Sequence, residues 1–297
     1  MDWLVFALLS PVFWGLNNVF NKFLMVKKFR GYYSLVSYLN IFDLFFAAIL
    51  FFVTPINSNF PYFIFAMVVG LLPVLAFWFY TKALMVEEIS RITPLFQFIP
   101  IFVVFLSAIF LNEILNIQKY FGIILIVVAS ILILYKRSES GKSLSSAFRL
   151  MIPFSFILSI YTILLKLLLD YLNYWSIFFW MIIGSFFGVL GLLSFSKPRK
   201  EFFRSLPSLG VRTFIVAFSG ECAYLLGVIC SLIAMSLGYV SLVSALSGLQ
   251  HFFVFVYMLV LSLFMPKILE EEINGQILLL KIFAIALMFI GTWFVTM

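Results

Sequence analysis

Two carboxylates stand where a membrane span normally carries none. Asp43 sits at the centre of the apolar run 32–53, and Glu221 lies inside the run 212–237. A charged side chain at such depth costs roughly 2.5–3.5 kcal/mol on insertion scales, so each needs a reason to be there. A carboxyl group in a protein-lined path is suited to bind and release a proton or another cation. The competing role is structural, a hydrogen bond or ion pair between helices. Amides add a second kind of chemistry. Asn17 and Asn21 are four residues apart and share one helix face, with Asn18 one position round. They can line a polar pathway or tie helices together. Gln97, Gln250 and His251 are further polar groups at span depth. His251 is the sole histidine, and no second His or Cys lies at ligand spacing from it, so no metal site is expected. Cys222 and Cys230 share one predicted helix and read as small buried residues. No cofactor is expected.

These groups must be positioned by helices. The chain is 65% hydrophobic and 10% charged, with 40 Phe and a mean hydropathy of +1.19. A soluble domain carries roughly 25% charged residues, so this surface is built to face lipid. Runs of about 20 apolar residues, the length that crosses ~30 Å of hydrocarbon, fall at 3–24, 32–53, 62–85, 91–110, 117–134, 150–168, 174–195, 212–237, 240–264 and 276–295. They are continuous, whereas barrel strands alternate, so ten transmembrane helices are expected. The first run has no basic segment before it and no small-residue cleavage site after it, and reads as a retained span.

A net charge of +7 points to nucleic acid in a soluble protein; here its sidedness is what counts. The odd-numbered connections hold Lys27, Lys28, Arg30, Arg91, Lys136, Arg137, Lys142, Arg149, Lys197, Arg199, Lys200, Arg204, Arg212 and Lys267; the even ones hold Lys119 alone. The odd connections are therefore expected in the cytoplasm and both termini outside. No nucleic-acid partner is implied.

The Ser-rich, charged stretch 136–148 is the linker between two halves, 1–140 and 149–297, of five spans each. Five is odd, so the second half enters the membrane from the opposite side. The expected fold is thus an all-α integral membrane protein of two inverted-topology five-helix repeats. Faint similarity supports this: 83–90 aligns with 234–241, and Asn18, Asn21 and Lys22 align with Thr162, Leu165 and Lys166. Inversion puts Lys22 and Lys166 near opposite faces, where a gate or an anion-capture site would sit; the alternative is snorkelling to the interface. Gly184 and Gly188 give the seventh span a small-residue face for packing within the chain or for a homodimer.

The stretch 80–134, YTKALMVEEISRITPLFQFIPIFVVFLSAIFLNEILNIQKYFGIILIVVASILIL, resembles the hallmark of EamA-type members of the drug/metabolite transporter superfamily. Their pattern has an Ala-Leu helix end, a Ser before a Pro-containing span, an apolar-Glu ending (here Asn112-Glu113) and a Gly opening the next span (Gly122). The first span, WGLNNVFNKFL, is also similar. The resemblance implies a five-plus-five architecture and places Gln97, Gln250 and His251 on spans that flank a central cavity. Two features depart from the family. The counterpart of Pro100 is His251, and family members are drawn with cytoplasmic termini. The small multidrug branch uses a first-span carboxylate about two turns before the terminal Lys, a place held here by Trp14, which argues against that device.

The expected function is secondary transport of a small polar metabolite by alternating access, with proton coupling at Asp43 or Glu221. A flippase for a lipid-linked metabolite and a non-transporting subunit of an envelope complex are the alternatives. The chain lacks a GxxxxGK[ST] motif, and one His with scattered Ser offers no catalytic constellation, so neither ATP-driven pumping nor enzymatic activity is expected. The expected partners are the solute and the lipid bilayer, in the cell membrane.

Overall fold

The computed structural model describes residues 2–27, 29, 32–86, 92–133, 145–206, 210–264 and 275–297. Most of the linker expected at 136–148, together with Lys28, Arg30, Arg91 and Lys267, lies outside the described residues. Every described element is helical, because lipid offers no partner to an open backbone N–H or C=O. In chain order these are α1 (Asp2–Lys27), α2 (Tyr32–Val53), α3 (Tyr62–Leu84), α4 (Phe98–Phe110), α5 (Ile117–Ile133), α6 (Ser145–Leu168), α7 (Tyr174–Ser194), α8 (Ser196–Ser205), α9 (Val211–Leu237), α10 (Val240–Leu246), α11 (Gln250–Phe264) and α12 (Gly275–Thr296). A 3₁₀ turn, Thr93–Gln97, leads into α4, and a second, Ser247–Leu249, separates α10 from α11.

Among the described residues, eight segments are long and apolar enough to cross a membrane: α1, α2, α3, α6, α7, α9, the α10–α11 unit and α12. Two more apolar helices, 94–110 and 117–132, are shorter than the expected spans. The sequence expectation of one long helix at 240–264 is modified, because the chain tightens at Ser247–Leu249 between two separate α-helices. The short α8 is different in kind. It carries four basic residues and lies between α7 and α9.

Helices of the two halves interleave. α1 lies along α9, and α6 lies along α3, so the first helix of each half packs on the other half. α5 pairs with α12, where Gly122 and Gly291 leave room for each other's backbone. Small residues and hydroxyls set these contacts, as they do where lipid removes the hydrophobic driving force between helices. Trp14 of α1 occupies the space beside Gly227, and Ser10 Oγ donates to the Gly227 carbonyl at 2.9 Å. Ser155 and Ser159 of α6 donate to the carbonyls of Leu95 and Ile99.

The seventh-span glycines are used inside the chain. A Cβ on Gly184 would land on the Met67 carbonyl of α3, and one on Gly70 would land on that of Met181. Gly188 faces Leu71 and Val74 of α3. The small-residue face that was open to packing or to a homodimer is thus taken up by α3.

Candidate functional site

Asp43 extends a polar row on α2. Ser37, Asn40 and Asp43 recur every three residues and so lie along one side of the helix. Asn40 is buried, and its Nδ2 donates to Asp43 Oδ2 at 3.2 Å and to Ser185 Oγ of α7 at 3.2 Å. From α9, buried Glu221 places its carboxyl group beside that of Asp43. Ionised carboxylates are acceptors only, so two of them bond only when one carries a proton. Asp43 Oδ1 is buried without a hydrogen-bond partner. The two intramembrane carboxylates found separately in the sequence therefore form one group.

Asp43 of this pair borders a cavity of about 50 Å³ between α2, α3, α6, α7 and α9. Tyr161, Ser185 and Tyr224 supply polar wall, while Pro73, Phe178 and Leu225 supply apolar wall. Among the described residues, no Lys, Arg or His lines it. Allowing roughly 10–15 Å³ per water on this measure, it has room for about four waters.

The asparagines of α1 reach the same region from the other side. Asn17 Nδ2 donates to the carbonyl of Gly220, the residue before Glu221, at 2.9 Å, and Asn21 Nδ2 donates to Asn17 Oδ1 at 2.9 Å. The side chain of Asn17 thus ties α1 to α9. Its neighbours are less fully satisfied. Asn21 Oδ1, Ser37 Oγ, Asn40 Oδ1 and Thr213 Oγ1 are buried without a hydrogen-bond partner. Such orphans are rare in folded proteins, yet here, with Trp14 Nε1 and Asp43 Oδ1, six fall on α1, α2 and the first half of α9. Together with the carboxyl pair they make a polar seam through otherwise apolar helices.

Gln97 and His251 meet as a second group. Gln97 is buried, and its Nε2 lies 3.2 Å from His251 Nδ1, which is also 3.1 Å from the Gly248 carbonyl. Nδ1 accepts from Gln97 in one tautomer and donates to Gly248 in the other, but does not do both at once. Gln97 ends the first 3₁₀ turn, and His251 stands two residues past the second, at the start of α11. Gln250 is part-exposed at the head of α11, and its carbonyl lies beside Gly15 of α1. No hydrogen bond joins this group to Asp43 or Glu221 among the described residues.

The two lysines lie at opposite ends of α9. Lys166 Nζ donates to the carbonyls of Met235 and Gly238, the latter at 2.9 Å, at the C-terminal end of α9. Lys22 is exposed on α1, next to Asn21 and so near the Gly220 end. Gly220 and Met235 are separated by about 22 Å at 1.5 Å per residue.

Two residues that the sequence reading left without a role carry structural chemistry. Asn40 was findable, since it stands one turn before Asp43. Glu113 was quoted only as part of a motif. Its buried carboxylate accepts from the backbone N–H of Val240 and Ser241 and from Ser241 Oγ, capping α10. Asn112 makes this possible, because at φ 53° it turns the chain sharply after α4, in the left-handed region that Asn tolerates.

A solved crystal structure is similar to this chain with a TM-score of 0.73, at 14% sequence identity, over 99% of this chain and 96% of that one. At that identity the likeness speaks for the fold. No curated protein matches the sequence. Residues 1–135, which contain α1–α5 with Asp43, Gln97 and Glu113, match the model of the EamA-like transporter family. The first half of this multi-pass, all-helical chain is therefore similar to the EamA-like transporter family.

Proposed function

We propose that this protein is a secondary transporter of a small polar solute, coupled to protons through the Asp43–Glu221 pair. The pair itself is the observation that carries the reading. Two adjacent carboxyl groups within the helix bundle hold one proton between them more readily than two negative charges. Losing that proton would place two like charges side by side on α2 and α9 and favour separation of these helices. Rebinding would restore the contact. Such a cycle links a proton to the relative position of elements from the two halves.

The architecture we infer is ten spans in two inverted repeats, counting 94–110 and 117–132 as the shorter members. The exchange of first helices, α1 onto α9 and α6 onto α3, is the pattern a two-fold axis in the membrane plane would generate. The 3₁₀ turns at Thr93–Gln97 and Ser247–Leu249 fall in corresponding spans, as broken helices do in carriers of this design. A cavity with room for about four waters admits no metabolite, so solute passage requires helices to move apart.

The test uses the full chain in proteoliposomes. A thermal-shift screen against amino acids, sugars, nucleosides and organic acids supplies the solute, since a specific binder stabilises by mass action. An imposed pH gradient should then drive uptake by the wild type. Asp43→Asn or Glu221→Gln should abolish that drive and leave solute counterflow in place. Uptake indifferent to the gradient in the wild type, or gradient-driven uptake unchanged in both variants, would remove the pair from the mechanism.

A further inference from the structure

We propose that α8 is an in-plane helix that binds the anionic phospholipid headgroups of the surrounding bilayer. Nothing in the transport reading uses this element. It is ten residues long and carries Lys197, Arg199, Lys200 and Arg204 against a single acid, Glu201. Its inner face is fixed to the protein. Pro198, Phe202 and Ser205 are buried, and Ser34 Oγ of α2 lies 2.9 Å from both the Glu201 carbonyl and Ser205 Oγ. All four basic residues are exposed, and so is Phe203, at 59%.

The order of residues round the helix tells lipid from water. On a 3.6-residue period, Phe203 lies about 100–140° from the Pro198–Phe202 face, with Arg199 about 40° to one side and Lys200 about 60° to the other. Arg204 and Lys197 follow further round. An exposed phenyl flanked by two cations suits the boundary of headgroup and acyl chain, where the ring enters the apolar layer and the cations meet phosphate. Phe195, 66% exposed at the turn between α7 and α8, adds a second apolar anchor at the same level. Its position between two membrane-crossing helices keeps α8 at the membrane surface. The occupant is the bilayer's own anionic lipid, because charge complementarity and the inserted ring are both needed to use this face. A soluble anion would use the cations and leave Phe203 exposed.

Hydrogen–deuterium exchange of residues 196–205 in the reconstituted full chain tests this. Nanodiscs of phosphatidylcholine alone are compared with discs in which part of it is replaced by phosphatidylglycerol. Exchange should slow several-fold in the anionic discs, and high salt should erase the difference. The double variant R199Q/K200Q should lose the phosphatidylglycerol effect while exchange elsewhere stays as in the wild type. Phe203→Ser should raise exchange in both lipids. Equal exchange in the two lipids would overturn the proposal. So would equal slowing in phosphatidylcholine discs on adding inorganic phosphate or an acidic peptide, since either would move the site to a soluble partner. None of these readouts depends on transport, so failure here leaves the carboxyl pair untouched.

Discussion

Glu113 and Val240 belong to different halves of the chain, and the carboxylate of the first receives the backbone N–H of the second at 2.9 Å. With Ser241 N–H at 3.1 Å and Ser241 Oγ at 2.8 Å, one buried side chain satisfies the start of α10. A helix N-terminus favours negative charge, so bonding and dipole act together. Glu113→Ala should lower unfolding stability in detergent by about 2–3 kcal/mol, since it leaves buried N–H groups without an acceptor. Glu113→Gln retains one acceptor oxygen and should lose less. An alanine variant as stable as the wild type would show that α10 needs no cap from the first half.

Glycine replacements should separate sharply by position. Gly184→Ala drives a methyl group into backbone at Met67, which has no rotamer by which to withdraw, and should prevent folding or cost about 3 kcal/mol. Gly191→Ala lies on the same helix with nothing within 4 Å of the added carbon. It should be neutral or gain up to about 1 kcal/mol through helix propensity. Thermal unfolding of the two purified variants makes the comparison, and similar midpoints would contradict the α3–α7 contact.

Lys166 acts at the end of α9 by capping carbonyls that would otherwise be open. Lys166→Gln should lower stability by about 1–2 kcal/mol, as expected for loss of a cation at a helix C-terminus. The gate proposal adds a second outcome. Access of an impermeant thiol reagent to a cysteine placed at Ser185 should change from the Lys166 side only, with the Lys22 variant changing access from the opposite side. Equal effects of both variants on both sides would leave capping as the whole role of Lys166.

Orientation in the membrane can be read with single cysteines. The excess of Lys and Arg in the odd connections predicts extracytoplasmic termini. A cysteine at exposed Ser58 should react with an impermeant reagent in intact cells, and one at exposed Lys200 should not. Ser205, in the same connection, is a poor reporter because it is buried against Ser34. The reverse labelling pattern would place both termini in the cytoplasm.

What the sequence determined by itself is what local composition controls. An apolar run in lipid has one economical backbone solution, a helix bonded within itself, so the apolar stretches and their boundaries follow from hydropathy and from breakers such as Asn57–Pro61. The first-half family motif is likewise written in consecutive residues. Asp43 and Glu221 stood out individually, because a carboxyl group in such a run conflicts with its surroundings. Their meeting could not be read, since it depends on how α2 and α9 are rotated and offset, and side chains far apart in sequence set that rotation. The same holds for Gln97 with His251, whose contact is made where two helices tighten into 3₁₀ turns. Lys166 and Glu113 make the point from the opposite direction. Equivalence with Lys22 across the two halves marked Lys166 for a mouth of the pathway or for snorkelling, and Glu113 stood only as part of a motif, yet each closes a helix end contributed by a distant part of the chain. Helices form from neighbours, but which polar groups they bring together is decided by packing, and only the tertiary structure holds that information.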